Sequence, residues 1–197
     1  MVQICKNKKM NKEIEKYLDS EIWFNYQNFY NEVAQKKYKV LVELGTWKGH
    51  SIMYLAQKLK EQNYEFKLYG VDLFDESPIH ENKGNEYLKP QMQFIWEVYN
   101  QNLIRKNVRD VVTDIKKNSW ESANEFEDES VDFVFIDADH KYESVVKDIQ
   151  SWLPKIKKGG MISGHDFTQP SAGVKRAVEE LLPGFKLGTD EIWTYVK

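Results

Sequence analysis

The chain has 197 residues, 41% hydrophobic and 30% charged, which suits one soluble globular domain large enough to bury a core. A net charge of −3 gives no electrostatic case for a nucleic-acid or anionic-membrane partner, and the lone Cys5 excludes an intramolecular disulfide and a thiolate metal cluster. No apolar run approaches a membrane span, and the stretch MVQICKNKKMNKEIEKYL lacks the apolar core of a signal peptide, so the cytoplasm is the expected location.

Residues 10–36 read as a helix, with apolar positions at Ile14, Leu18, Ile22, Phe29 and Val33. Lys39–Leu44 is a short buried strand ending at Gly45, and Ser51–Lys60 returns to a helical period. Phe66–Val71 is a second strand, closed by Asp72. Residues 73–89 are polar, contain Pro78 and Gly84, and read as a long loop of the kind that serves as a lid or stays disordered. A helix is expected over Gln91–Leu103, a third strand over Val111–Ile115, a short helix over Ser119–Phe126 and a strongly apolar fourth strand over Val131–Ile136. Then follow a helix over Tyr142–Leu153, a strand over Met161–Ser163, a helix over Val174–Leu182 and a β-hairpin over 184–196. With no repeat, linker or low-complexity tract, the expectation is one domain, a helical cap over 1–38 and a core over 39–197.

Strands alternating with helices predict an α/β, Rossmann-like doubly wound sheet, mostly parallel, with helices on both faces. In such a sheet the carboxyl ends of the parallel strands share one rim, where ligands bind near the switch in strand order. At this rim the sequence places Glu43 and Gly45, Asp72, Ser119, Asp137, and His165 with Asp166.

The turn VELGTWKGHS lacks the glycine spacing of a dinucleotide fingerprint, with Trp47 and His50 where glycines are required. Glu43 would repel a pyrophosphate, so a ligand with a cationic or polyhydroxyl end suits this turn. Asp72 is placed to accept both hydrogen bonds of a ribose diol; the alternative is a solvated strand-end acid. Adjacent parallel strands lie about 5 Å apart, so Asp137 and Asp166 can share a hard divalent cation through oxygen ligands. The open alternatives are that Asp139 or Asp166 caps a helix and that His140 and His165 are structural imidazoles. Trp23, Tyr26, Trp47, Trp96 and Trp120 lie outside the strands, and either pack helices on the sheet or wall a site for a planar or sugar-like ligand.

The stretches VELGTWKGHS, GVDLFD, VDFVFIDADHKYESVVKDIQSWLPKIKKGGMISGHDF and GVKRAVEE resemble class I S-adenosylmethionine (SAM)-dependent methyltransferases, and within them the small methyltransferase-24-like family. The resemblance implies a seven-stranded sheet with a reversed C-terminal hairpin. It implies that Glu43, Gly45, Thr46, Gly49 and Ser51 form the methionine end of a SAM site, that Asp72 holds the ribose, and that Ser119 and Trp120 contact the adenine. Asp137 adjoins that site and, with Asp166 and His165, is expected to ligate Mg²⁺ or another divalent cation. Phe167 departs from the family pattern, where a third ligand follows the second, and His140 replaces a catalytic lysine.

These residues lead to an expected transfer of a methyl group from SAM to a hydroxyl of a small molecule such as a sugar or glycoside. His140, with Asp139 beside it, is expected to manage the acceptor's proton. A homodimer is an allowed assembly. The rivals are a metal-independent methyltransferase acting on nitrogen or carbon, a SAM- or nucleotide-binding module without turnover, and a nucleotide-dependent oxidoreductase.

Overall fold

The computed structural model describes residues 12–20, 22–74, 86–168 and 172–197. The apolar runs form strands β1 (Val40–Leu44), β2 (Lys67–Asp72), β3 (Val112–Lys116), β4 (Val131–Ile136) and β5 (Ile156–Gly164), followed by β6 (Lys186–Leu187) and β7 (Trp193–Val196). They make a seven-stranded sheet in the order β3-β2-β1-β4-β5-β7-β6. The first five pair in parallel, while β7 runs antiparallel to both β5 and β6. The helices are α1 (Lys12–Glu15), α2 (Gln27–Gln35), α3 (His50–Glu61), α4 (Lys89–Met92), α5 (Ile95–Arg105), α6 (Tyr142–Trp152) and α7 (Ala172–Leu181).

Period-two alternation sorts the strand residues between two cores. Leu41, Phe133 and Phe135 face Tyr30, Leu55, Tyr99 and Leu103, under α2, α3 and α5. Val42, Leu44, Val134 and Ile136 face Val145, Ile149, Trp152 and Val178, under α6 and α7. Because β1 pairs with β2 on one side and β4 on the other, the strand order switches between β1 and β4. Leu44, Val71, Ile136 and Gly164 stand in register beside that switch, so the residues after them are delivered to one place.

Several expected elements differ in extent. The segment 10–36 is not one helix. Between α1 and α2 the described residues turn through 16–20 and form no regular element over 22–26. Tertiary anchors override the helical period: the Leu18 carbonyl accepts from the His50 ring (3.0 Å) and the Asn102 amide (3.2 Å), and Lys48 Nζ donates to the carbonyl (2.9 Å) and hydroxyl (2.7 Å) of Ser20. Ile22, expected on the buried stripe, is consequently exposed. The helix expected over 91–103 is broken at Gln93–Phe94, and 121–125 forms a 3-10 turn. Strand β5 starts earlier than expected and absorbs the Gly159–Gly160 pair through a register shift against β4. Residues 75–85, most of the expected 73–89 loop, lie outside the described residues. Among the described residues no helix is long and apolar enough to cross a membrane.

Candidate active site

The turn after β1 carries the tightest backbone constraint. Gly45 has φ +84, and a Cβ there would stand 2.1 Å from the carbonyl oxygen of Asp137, so only glycine lets the two strand ends approach this closely. Its N–H donates to Val71 O (2.8 Å), and Asp137 N donates to Leu44 O (2.8 Å), locking three strand ends together. Gly49, also left-handed, precedes α3 and faces the Tyr99 ring, which a Cβ would meet at 2.8 Å.

Above these ends opens a cavity of about 710 Å³, in the size range of small-molecule sites. Gly45, Thr46, Ser51, Asp72, Ser119, Trp120, Asp137, Asp139, His140, His165 and Asp166 all line it. Of the nominated residues, Glu43 and Gly49 lie behind that surface. Glu43 is buried, and its carboxyl oxygens accept from Ser51 Oγ (2.5 Å) and Tyr30 Oη (2.7 Å). Burial pushes Glu43 up to about 8; the two hydroxyl donors oppose the rise, and the Asp137 and Asp72 charges reinforce it. Asp72 accepts from the backbone N–H of Trp47 (2.9 Å) and of Phe74 (3.1 Å), so it braces the Gly45 turn while facing the cavity. Burial raises its pKa, and these backbone donors counter the rise. Among the described residues Thr46 Oγ1, Trp47 Nε1 and His165 Nε2 are buried without a partner.

The same cavity holds a cluster of acids and imidazoles. His140 Nε2 lies 3.0 Å from Asp166 Oδ2 and 3.9 Å from Asp137 Oδ1. His165 Nδ1 lies 3.2 Å from Asp166 Oδ2 and 4.0 Å from Asp137 Oδ1. Burial pulls both imidazoles down, yet Asp166 and Asp137 outweigh it and both pKa values rise. For Asp166 burial acts upward, but hydrogen bonds from the two imidazoles win and hold its carboxyl well below the usual range. Asp137 goes the other way: burial and the Asp166 charge outweigh the imidazoles and the Tyr26 hydroxyl. Among the described residues the group with metal-ligand spacing is Asp137, His140 and Asp166, whose ligand atoms lie within 4.8 Å of one another. Asp139 points elsewhere: its oxygens accept from Lys141 N (3.3 Å) and Ser144 Oγ (2.7 Å), at the start of α6. These bonds brace the turn that leads into α6, whose N-cap is Lys141 and which has no side-chain cap bond.

Aromatic side chains form the mouth. Trp23 stacks on Trp47 at 5.4 Å and 13°, and both line the cavity with Phe24, Tyr26 and Trp120. Trp96 instead packs on Phe74 and Tyr99. Tyr26, expected either to pack on the sheet or to wall the site, also reaches Asp137 Oδ2 with its hydroxyl at 2.9 Å. A tyrosine that interrupts an apolar stripe was the available signal.

Residues 42–167, which span the Gly45 turn, Asp72, Asp137 and Asp166, match the methyltransferase-24 family model, a methyltransferase domain. The chain belongs to this family of class I SAM-dependent methyltransferases. Two curated relatives are the uncharacterized protein R132 of Acanthamoeba polyphaga mimivirus, 27% identical over 75% of this chain, and the uncharacterized protein y4gI of Sinorhizobium fredii, 26% identical over 64%. The aligned segments cover 61% and 13% of those proteins, so this chain spans only part of the length of either. Among solved structures, the O-methyltransferase NovP superposes with a TM-score of 0.70 at 17% identity, covering 87% of this chain and 78% of its own. An O-methyltransferase from Bacillus cereus in complex with SAH (S-adenosylhomocysteine) gives 0.61 at 16%, covering 99% and 94%. CalS11, a TDP-rhamnose 3'-O-methyltransferase, gives 0.56 at 14%, covering 94% and 81%. At these identities the likeness establishes the methyltransferase fold.

Proposed function

We propose that this protein transfers a methyl group from SAM to a hydroxyl of a small acceptor, a sugar or glycoside being the class to test first. The observation that carries the reading is one cavity with two chemically different walls at the strand-order switch. Gly45, Thr46, Asp72, Ser119 and Trp120 make the cofactor wall, and Asp137, His140, Asp166 and His165 the acceptor wall.

The cofactor wall fits SAM. The missing Cβ at Gly45 lets the end of β4 close against the turn after β1, which brings Gly45 and Asp137 into one cavity, and the Asp72 carboxylate at the end of β2 suits a ribose diol. Thr46 Oγ1 and Trp47 Nε1 offer unpartnered polar atoms. Trp120, its indole beneath Lys147 Nζ at 4.7 Å, offers a flat face for the adenine. Glu43 and Gly49 act from behind, and Ser51 from the lining: Glu43 ties α2 to α3 through Tyr30 and Ser51 and so sets the turn that Gly45 begins. When bound, SAM supplies an electrophilic sulfonium methyl.

On the acceptor wall the neutral His140 Nε2 accepts the acceptor's proton or ligates a cation; both roles need the unprotonated ring. Two carboxylates and an imidazole suit Mg²⁺, Mn²⁺ or a similar divalent ion, which when bound supplies Lewis acidity towards the acceptor oxygen. A second, metal-independent reading rests on the same geometry: His140 and His165 both lie within hydrogen-bond distance of Asp166 and so offer it partners without a cation. The stacked Trp23 and Trp47 rings give this cavity a flat apolar lining suited to an acceptor's ring face. The segment before residue 39 supplies Trp23, Phe24 and Tyr26 to this wall and so acts as a cap on the 39–197 core.

Thermal unfolding tests the cofactor assignment, because a ligand held only by the folded state raises Tm. SAM or SAH raises it, NADH does not, and Asp72→Ala loses most of the SAH shift when each protein is compared with its own unliganded melt. A shift with NADH and none with SAM or SAH overturns the proposal.

A further inference from the structure

Tyr26 lies 111 residues before Asp137 in sequence, yet its hydroxyl donates to Asp137 Oδ2 at 2.9 Å. The phenol is buried, and its ring is wedged against Phe24 (4.8 Å), Tyr30 (5.2 Å), Phe135 (5.0 Å) and His165 (4.9 Å). A ring gripped on that many sides has no freedom to release its hydroxyl bond. The terminal torsion of an aspartate is broad and nearly two-fold, so an untethered carboxylate would sample many orientations. Here Oδ2 is occupied, and Oδ1 is left facing His140 Nε2 (3.9 Å) and His165 Nδ1 (4.0 Å). Tyr30, one helical turn further along, makes the equivalent phenol–carboxylate bond to Glu43, outside the cavity surface.

We propose that Tyr26 is a positioning residue: by holding Oδ2 it turns Oδ1 of Asp137 towards His140 and Asp166 and makes Asp137 a one-oxygen ligand of the cation site. This rests on the cation reading above. It gives the segment before α2 a part in assembling the reactive wall, beyond covering it. Hydrogen-bond partners of metal ligands set ligand orientation, and losing one costs about 10–100-fold in metal affinity.

The test is calorimetric titration with Mn²⁺ of the full chain as wild type, Tyr26→Phe and Tyr30→Phe, with SAH affinity and Tm measured on the same samples. Tyr26→Phe removes one oxygen and keeps the ring packing. It is expected to weaken Mn²⁺ binding about 10–100-fold, while Tyr30→Phe leaves Mn²⁺ binding as in wild type and Tyr26→Phe still binds SAH. Should Tyr26→Phe fold poorly alone, the titration is made on the SAH-saturated variant below its Tm, with SAH-saturated wild type as reference, and the same loss of Mn²⁺ affinity is expected. Wild-type Mn²⁺ affinity in Tyr26→Phe, free or SAH-saturated, overturns the proposal. So does an equal loss in Tyr30→Phe, which would mark general loosening of α2. A wild-type protein that binds SAH but no Mn²⁺ refutes the cation reading itself, and the proposal with it.

Discussion

Asp148 offers a stability measurement whose size follows from its burial. It sits on α6 with no exposed surface, and neither carboxylate oxygen has a hydrogen-bond partner by distance and angle. Burial pushes it from an ordinary value of 3.8 to about 7; the Ser119 hydroxyl offsets this in part, and the Asp139 charge adds to it. A raised folded-state pKa means that the folded protein holds its proton over a pH range where the unfolded chain has released it. Stability from this group is therefore intact below about pH 4, falls as pH rises between about 4 and 7, and is flat above. At about 1.4 kcal/mol per pKa unit, the loss accumulates to about 4 kcal/mol, of which about 3 kcal/mol falls between pH 5 and pH 8. Asp148→Asn keeps the shape and removes the titration. Any cost of an unsatisfied amide is the same at both pH values, and Glu43, which titrates in the same sense, cancels between the two proteins. Urea unfolding of both proteins at pH 5 and pH 8 should show the variant gaining about 3 kcal/mol relative to wild type over that interval, equivalent to about 6–12 °C in Tm for a chain of this length. A stability difference that does not change between the two pH values refutes the reasoning.

Gly45→Ala should be among the most damaging single substitutions, because its Cβ collides with backbone at 2.1 Å in a left-handed conformation. A loss of at least about 3 kcal/mol in unfolding free energy, or an insoluble product, is expected; a soluble variant with wild-type Tm and SAH affinity contradicts the described turn. His140→Ala should retain SAH binding and lose about 10²–10⁴-fold in methyl transfer once an acceptor is in hand. In the wild type the acid limb should lie above the ordinary imidazole value of 6.5, because Asp166, Asp137 and Asp139 raise the His140 pKa against the pull of burial. Activity should thus fall as pH drops through that raised pKa, and an unchanged acid limb in His140→Ala would remove His140 from proton handling.

The fold was legible because its signals are local. Alternating apolar runs and helical periods needed no knowledge of distant residues, and the acids and glycines that end each strand were readable as rim residues once a parallel sheet was inferred. Helix and strand boundaries were less so, since Gln93–Phe94 and Gly159–Gly160 yield to packing that no window of sequence displays.

The sequence by itself determined which residues stand at the rim; the tertiary structure decided what each one does there. Glu43 reads as a cofactor-facing acid, but Tyr30 and Ser51 take both its oxygens and burial sets it behind the cavity. Asp139 and His140 are neighbours in the chain, yet one turns to the start of α6 and the other to Asp166. The apolar stripe at 10–36 satisfies a helical period, but the carbonyls of Leu18 and Ser20 are taken by Lys48, His50 and Asn102. The next described residues, 22–26, form no regular element, and Tyr26 lies against Asp137. The physical reason is common to all three. Propensity and period report on neighbours three or four residues away, whereas a buried polar group must be satisfied by whichever donor or acceptor the fold brings to it.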